Sequence, residues 1–167
     1  TQAGEIVKLI SQIENLTIEP DSPARVVINE KTGTVVPRTS GGFILAQESG
    51  LCAFDPETQE TERLPWPADK RIVNRFNDGK CDPAGRFWAG TMAYEQTEGA
   101  AALYCLESDL TVRKMIDKVT ISNGLVWTAD AKYFYYIDTP TNEVSVFDYD
   151  VDLIQLHGVP AGYVDQR

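Results

Sequence analysis

A turn followed by an aromatic-rich strand recurs along the chain at a nearly constant interval. The three copies are Gly41-Gly42-Phe43-Ile44-Leu45-Ala46, Gly85-Arg86-Phe87-Trp88-Ala89-Gly90 and Ala131-Lys132-Tyr133-Phe134-Tyr135-Tyr136. The interval from Phe43 to Phe87 is 44 residues, and the interval from Phe87 to Tyr133 is 46 residues. A unit of about 40–50 residues is typical of a four-stranded blade of a β-propeller, which buries its faces against neighbouring blades. An irregular β-sandwich, the competing interpretation, would not require so constant an interval.

Short β-rich runs alternate with turn residues from residue 37 onward, at about one strand per 8–12 residues. In a turn such as Asp82-Pro83-Ala84-Gly85, Pro fixes φ, Gly permits a positive φ and Asp caps the backbone. The predicted strands are Phe43–Gln47, Leu51–Phe54, Thr61–Leu64, Gly79–Asp82, Phe87–Thr91, Ala102–Leu106, Val112–Ile116, Gly124–Thr128, Tyr133–Asp138 and Val144–Tyr149. The sequence therefore predicts an all-β fold that contains about two and a half propeller blades.

The first 36 residues differ in character from the rest. Apolar residues at helical spacing predict a short amphipathic helix over residues 5–14. Two short strands, Val26–Asn29 and Thr34–Val36, are predicted after Pro20 and Pro23. We therefore expect an N-terminal helix and strand segment over 1–36, propeller blades over 37–150 and a C-terminal tail over 151–167.

Net charge and apolar patterning exclude several classes of protein. The net charge is −10, whereas binding to the phosphates of nucleic acid requires the opposite sign. No apolar run is long enough to span a bilayer, and the first residues do not resemble a signal peptide. Cys52, Cys81 and Cys105 show neither zinc-site spacing nor a disulfide framework. We therefore expect a cytoplasmic protein with no nucleic-acid or membrane partner.

Polar residues are concentrated in two places that lie one predicted blade apart. Residues 74–80 read Asn-Arg-Phe-Asn-Asp-Gly-Lys and residues 122–124 read Ser-Asn-Gly, each at the beginning of a predicted blade. The innermost strands of a propeller converge on a central channel, where oxygen atoms from different blades can bind a hard cation. The alternative interpretation is that each Asn-Gly or Asp-Gly pair forms a turn that needs a positive φ.

A twenty-residue string carries a resemblance to a known family. Residues 74–93 read Asn-Arg-Phe-Asn-Asp-Gly-Lys-Cys-Asp-Pro-Ala-Gly-Arg-Phe-Trp-Ala-Gly-Thr-Met-Ala, which resembles the hallmark of the SMP-30/gluconolactonase/regucalcin family. Further matching segments are Ile121-Ser122-Asn123-Gly124-Leu125, Tyr135-Tyr136-Ile137-Asp138-Thr139 and Phe147-Asp148-Tyr149-Asp150. The resemblance covers about residues 35–150. It implies a six-bladed propeller that hydrolyses a small-molecule sugar lactone with a divalent cation, calcium or zinc, which would polarise the lactone carbonyl.

The resemblance also implies roles for particular residues. Asn123 matches the asparagine that gives its side-chain oxygen to the cation, and Arg75 and Asn77 match a substrate-binding pair. Glu95 matches an acidic residue that contacts the sugar in some members of the family. Two charged cation ligands of the family, a glutamate from an early blade and an aspartate from a later blade, have no counterpart in this sequence. Since one asparagine supplies a single neutral oxygen, we expect an incomplete cation site and identify no catalytic residue.

The two ends of the chain resemble other families. Residues 9–36 are similar to a segment of the bacterial flagellar P-ring protein, and residues 151–157 are similar to a strand of aldo-keto reductase barrels. These similarities suggest a fusion or composite chain. The sequence thus supports a sugar lactone hydrolase that is incomplete as an isolated chain, with a non-catalytic structural or assembly protein as the alternative. Blade faces left uncovered in a partial ring predict self-association through the blade edges.

Overall fold

The computed structural model describes residues 28, 30–66 and 74–159, and these fold into three antiparallel sheets of four strands each. The first sheet contains β1 (Thr32–Pro37), β2 (Phe43–Gln47), β3 (Gly50–Phe54) and β4 (Thr61–Arg63). The second sheet contains β5 (Asn74–Cys81), β6 (Phe87–Ala93), β7 (Ala101–Leu106) and β8 (Val112–Val119). The third sheet contains β9 (Ser122–Trp127), β10 (Tyr133–Asp138), β11 (Ser145–Asp150) and β12 (Gln155–Val159), with a 3₁₀ turn at Thr139–Thr141. Strands that are adjacent in sequence are hydrogen-bonded neighbours, so each sheet has the topology of a propeller blade.

All ten strands predicted between residues 43 and 149 are confirmed, with shifts at their ends. The largest shift is in β5, which begins at Asn74 instead of Gly79 because residues 77–79 lie inside the strand. The strand β12 was not predicted, and its pairing with β11 completes a third blade where two and a half were expected. The predicted helix over 5–14 lies outside the described residues, as does the predicted strand Val26–Asn29 apart from Ile28.

The repeated motif marks the second strand of each blade. Phe43, Phe87 and Tyr133 are the first residues of β2, β6 and β10. The first strand of each blade lies innermost, since β1 contacts β5 and β5 contacts β9. The three blades therefore stand side by side about a common axis, as in a propeller, and their inner strands face that axis.

Apolar side chains fill the spaces between neighbouring blades. Phe76 and Phe87 are buried between the first and second blades. Between the second and third blades, the rings of Trp88 and Phe134 have centroids 5.3 Å apart, and Trp127 stacks on Phe134 at 4.6 Å. These three aromatic residues pack in one apolar cluster, whereas the neighbouring Tyr135 alternates to the opposite face of β10.

A buried carboxylate joins the second blade to the third. The Oδ1 atom of Asp82 accepts hydrogen bonds from the main-chain N–H groups of Ala84 and Arg86, both at 2.9 Å. Its Oδ2 atom accepts hydrogen bonds from Arg86 Nε at 2.6 Å, Trp88 Nε1 at 3.0 Å and Tyr149 Oη at 2.7 Å. Because Tyr149 belongs to β11, the network fixes the position of the third blade against the second.

The outer face of the third blade carries exposed apolar side chains. Val126, Tyr133 and Val144 are 48%, 42% and 40% exposed. Strand alternation places Val126 and Tyr133 on the face that points away from the second blade, and Val144 directly precedes β11. No helix in the described ranges is long and apolar enough to cross a membrane. The cytoplasmic location stays a prediction.

Candidate functional site

Each inner strand is interrupted by one irregularity, and the three irregularities lie at equivalent places. The register shifts between Thr32 and Thr34 in β1, between Phe76 and Gly79 in β5, and between Asn123 and Leu125 in β9. In every blade the shift occurs opposite the end of the repeated motif in the second strand. A bulge adds a residue to one strand and redirects its side chains. The residues at the bulges are therefore 33, 77–78 and 124, and Asn123 lies directly beside the bulge of the third blade.

The two Asn-Gly and Asp-Gly pairs lie in strands and not in turns before them, which corrects the predicted placement. Gly124 has a φ of +46°, as the turn interpretation required, but it adopts this φ within β9. Gly79 has an ordinary φ, and its lack of a side chain serves packing. A Cβ atom at residue 79 would lie 2.7 Å from Cγ2 of Thr34. Glycine at this place therefore allows β1 and β5 to approach each other closely.

Arg75 and Asn77 lie next to each other on β5 and are both partly buried. The Nη1 group of Arg75 donates hydrogen bonds to the carbonyl oxygen of Phe76 at 2.9 Å and to Oδ1 of Asn77 at 3.3 Å. No carboxylate pairs with Arg75 among the residues that the structure describes. A guanidinium group carries five N–H donors, so part of this donor set is available to a ligand.

Asn77 connects the second blade to the third. Its Nδ2 group donates a hydrogen bond to the carbonyl oxygen of Ser122 at 2.9 Å, although the two residues are 45 positions apart in sequence. Since Nδ2 faces Ser122, Oδ1 faces Arg75, and the two hydrogen bonds together determine the orientation of the amide. Ser122 immediately precedes Asn123, so the substrate-binding pair and the cation ligand implied by the resemblance are joined through one peptide unit.

Asn123 itself is exposed and binds neighbouring groups of its own blade. Its Nδ2 group donates a hydrogen bond to Oγ1 of Thr139 at 3.2 Å, and its Oδ1 atom accepts one from the N–H group of Gly124 at 3.1 Å. Asn123 is thus brought near Asn77 by the chain but shares no hydrogen bond with Arg75 or Asn77. Its amide oxygen retains one lone pair for a further partner.

Comparison with known proteins decides the family. The profile of the family described as SMP-30/Gluconolactonase/LRE-like region matches residues 10–161. This chain belongs to the SMP-30/gluconolactonase family. Regucalcin of Homo sapiens is 42% identical over 137 residues, which cover 79% of this chain and 46% of regucalcin. Regucalcin of Danio rerio is 39% identical over 145 residues, which cover 86% of this chain and 45% of that protein.

Solved structures of the family support the same fold. A luciferin-regenerating enzyme is similar with a TM-score of 0.74 and 26% identity, over 80% of this chain and 47% of the enzyme. A calcium-binding regucalcin from Agrobacterium tumefaciens is similar in fold with a TM-score of 0.74 and 23% identity, over 82% of this chain and 46% of that protein. The chain thus spans about half the length of the relatives it matches. Three blades over about half a relative's length agree with a ring of six.

The family match includes most of both ends of the chain. It begins at residue 10 and ends at residue 161, so it overlaps the two segments for which other origins were expected. Residues 151–157 form a turn and the beginning of β12, the outermost strand of the third blade. The resemblances to a flagellar P-ring protein and to an aldo-keto reductase strand are not supported, and a composite origin is not confirmed.

Glu95 lies apart from the other predicted site residues. It is exposed in the turn after β6, and within the described ranges its carboxylate makes no hydrogen bond or ion pair. The neighbouring Tyr94 is better anchored, because it accepts a hydrogen bond from Lys31 Nζ at 2.9 Å and donates one to Glu48 Oε1 at 2.7 Å. The hydrogen bond to Tyr94 raises the pKa of Lys31, and the positive charge of Arg75 opposes that shift. Lys31, Tyr94 and Arg75 therefore belong to one end of the first two blades.

The described part of the site does not fit a divalent cation by itself. No group of three or more His, Cys, Asp or Glu side chains in residues 28, 30–66 and 74–159 could hold a metal ion. Asn123 contributes one neutral oxygen, whereas calcium prefers six to eight oxygens with several carboxylates among them. Charged ligands for a cation would have to come from outside the described residues, and the incomplete cation site stays a prediction.

Sequence reasoning missed the residues that support the site. Ser122 was noted as part of a motif, but its contact with Asn77 was not anticipated. Gly90 and Tyr136, which pack against Ser122, were noted only as members of the repeated motif. The available signal was their shared place in the repeat, because each is the last residue of its copy.

Proposed function

We propose that the protein hydrolyses sugar lactones and that this chain provides substrate-binding residues of the active site. Membership of the SMP-30/gluconolactonase family supports this proposal, as does the similarity in fold to a gluconolactonase of Xanthomonas campestris, with a TM-score of 0.62 over 80% of this chain. The observation that carries it is the hydrogen-bonded row from Arg75 through Asn77 to the carbonyl of Ser122. These hydrogen bonds hold the guanidinium group of Arg75, a charged donor on the inner strand β5, in one orientation.

The chemistry of a sugar lactone suits these groups. A sugar lactone is a cyclic ester surrounded by hydroxyl groups, and its recognition requires hydrogen-bond donors at fixed positions. Arg75 supplies planar, permanently charged donors for which hydroxyl and carbonyl oxygens are acceptors. Asn77 holds that guanidinium group in place through Oδ1. We assign to Arg75 and Asn77 the binding and orientation of the sugar, and Glu95 is retained as a candidate contact of the sugar.

Hydrolysis also requires a base that activates water and a group that stabilises the oxyanion. In the described ranges no carboxylate is hydrogen-bonded or ion-paired to Arg75 or Asn77. We therefore assign no residue as the base. Asn123 would supply one neutral ligand to a divalent cation, calcium or zinc, and the other ligands would come from outside the described residues.

The test is lactone hydrolysis by matched arginine variants. We expect Arg75→Ala to raise KM for glucono-δ-lactone by about tenfold or more, because removal of a charged hydrogen-bond donor costs about 1.5–3 kcal/mol. Arg38→Ala is the control, since it changes the net charge equally but lies with Cys81 and Gly85 at the opposite end of the blades. Acid release is followed at constant pH in the presence of calcium or zinc.

Two results would contradict the proposal. One is equal kinetics for Arg75→Ala and Arg38→Ala, which would remove Arg75 from the substrate site. The other is the absence of both turnover and saturable binding for a panel of five- and six-membered sugar lactones and their open-chain acids.

The alternative function is a non-catalytic protein that assembles with itself. The exposed apolar face formed by Val126, Tyr133 and Val144 favours this candidate, because contiguous apolar surface of this kind mediates association. A concentration-dependent molecular mass without any lactone binding would support assembly as the function. Lactone binding by the monomer would favour the hydrolase.

A further inference from the structure

Ser122 occupies a position where very little movement is allowed. Its side chain is fully buried although it is polar, and it lies between the second and third blades. A Cβ atom on Gly90 would lie 1.7 Å from Oγ of Ser122 and 2.2 Å from its Cβ atom. These distances are far below any that real side chains adopt, so β6 can pass Ser122 only because residue 90 is glycine.

A second contact holds the hydroxyl group of Ser122. The buried hydroxyl of Tyr136 donates a hydrogen bond to Ser122 Oγ at 2.8 Å. Burial raises the pKa of Tyr136 well above its ordinary value, so the phenol remains a neutral donor throughout the range of a hydrolysis assay. Gly90 and Tyr136 are the last residues of two consecutive copies of the repeated motif. Ser122 is thus held by two residues, Gly90 and Tyr136, that occupy equivalent positions in the second strands of neighbouring blades.

The main chain of Ser122 carries this restraint to the site. Its carbonyl oxygen accepts the hydrogen bond from Asn77 Nδ2. The same peptide unit connects Ser122 to Asn123, beside the bulge of β9. Displacing Ser122 would release the amide of Asn77, and the contact between Asn77 Oδ1 and Arg75 would be lost with it.

We propose that Ser122, clamped by Gly90 and Tyr136, is the positioning residue that orients Asn77 toward Arg75 and couples their orientation to the docking of the third blade. This proposal rests on the proposed function, because that function makes Arg75 and Asn77 the substrate residues. Ser122 touches no substrate in this scheme. It acts through its carbonyl group.

The experiment compares Tyr136→Phe with Tyr149→Phe. Both tyrosines are buried in the same aromatic cluster between the second and third blades, and each loses one hydrogen-bonded hydroxyl. Tyr149 donates a hydrogen bond to Asp82 and accepts one from Arg86, and it does not contact the site, so it controls for a loss of stability at least as large. We expect Tyr136→Phe to raise KM for the lactone by about tenfold, and Tyr149→Phe to leave KM within about twofold although it costs at least as much stability.

A readout that does not depend on turnover separates this proposal from the proposed function. The side-chain amide protons of Asn77 should exchange slowly with solvent in the wild type, because Nδ2 is hydrogen-bonded to Ser122. NMR should show faster exchange at Asn77 in Tyr136→Phe and no change in Tyr149→Phe. If the wild type hydrolyses no lactone, this measurement still decides whether Ser122 positions Asn77. An unaltered Asn77 signal in Tyr136→Phe overturns the positioning role even if hydrolysis is found.

A second variant covers the case in which Tyr136→Phe does not fold. Ser122→Ala removes the same hydrogen bond from the other side while it keeps the main-chain carbonyl and the Cβ atom. We expect the same rise in KM and the same faster exchange at Asn77, and no further effect when both substitutions are combined, since they delete one interaction. Additive effects of the two substitutions, or equal KM changes in Tyr136→Phe and Tyr149→Phe, would overturn the proposal.

Discussion

The close approach at Gly90 gives a sharp prediction for the substitution Gly90→Ala. The new methyl group would overlap both Oγ and Cβ of Ser122, at 1.7 and 2.2 Å. A change of rotamer can move Oγ but cannot move Cβ, so the main chains of β6 and β9 must separate. Overpacking of this kind costs about 1–3 kcal/mol, and loss of the Tyr136 hydrogen bond adds about 1 kcal/mol. We expect Gly90→Ala to lower the free energy of unfolding by about 2–4 kcal/mol.

Equilibrium unfolding in urea measures this loss directly. The fluorescence of Trp88 and Trp127 reports on the affected space between the blades, because both indoles lie there. With a slope of about 1–3 kcal/mol per molar urea, a loss of about 3 kcal/mol lowers the midpoint by about 1–3 M. An unchanged slope would show that the folded and unfolded states expose the same surface as before.

A compensating substitution tests whether the overlap is the cause. Ser122→Gly removes both overlapping atoms, and by itself it costs about 1–2 kcal/mol through the lost hydrogen bond and the flexibility of glycine. In the double variant the overlap is absent, so Gly90→Ala should cost at least about 2 kcal/mol less than it costs alone. The reasoning is refuted if Gly90→Ala costs less than about 0.5 kcal/mol, or if Ser122→Gly brings no relief.

Four further predictions concern cation binding, blade docking, pH and association. Calcium or zinc at micromolar concentration should raise Tm only slightly, since the described residues offer no charged cluster, and a rise of several degrees would contradict an incomplete site. Asp82→Ala should lower the free energy of unfolding, measured in urea, by about 3–5 kcal/mol, because it leaves buried donors and the Arg86 guanidinium without the carboxylate. A loss below about 1 kcal/mol would disprove the role of Asp82 between the blades. Burial raises the pKa of Tyr136 and Tyr149, so these tyrosines hold their protons more tightly in the folded than in the unfolded protein. Their contribution to the free energy of unfolding should therefore be fully present below a pH of about 10 and should fall as the pH rises above it. The double variant Tyr136→Phe, Tyr149→Phe should lose less stability than the wild type at alkaline pH, and an equal loss would show that these tyrosines do not cause the effect. Val126→Lys should lower the molecular mass measured by light scattering if the outer face of the third blade mediates association, and an unchanged oligomer would locate association elsewhere.

The fold could be predicted from the sequence because the blade repeat is long-range but regular. The spacing of Phe43, Phe87 and Tyr133 identifies the second strand of each blade, and the turn residues delimit the others. The beginning of β5 was placed five residues late, because Asn-Asp-Gly is also typical of a turn. The strand β12 is hard to predict because the short run Gln155–Val159 contains only two large apolar residues, and its pairing with β11 holds it in place.

The candidate site was only partly accessible from sequence. Arg75, Asn77 and Asn123 were identified through the family resemblance and the matching places of their motifs. The contact of Asn77 with Ser122 depends on the register of two strands in different blades, and no local pattern determines that register. Gly90 carries no polar group, so its part in the site becomes visible only when its distance to Ser122 is known.

Substrate binding and hydrolysis therefore depend on different groups. Arg75, Asn77 and the residues that clamp Ser122 all belong to the second and third blades, and the interface between these blades is closed by its own aromatic core and by Asp82. Charged cation ligands and a base, in contrast, are absent from that arrangement. We therefore expect lactone binding to depend on the second and third blades and hydrolysis to depend on groups outside the described residues, so Arg75→Ala should weaken lactone binding about tenfold or more even where turnover is too slow to measure.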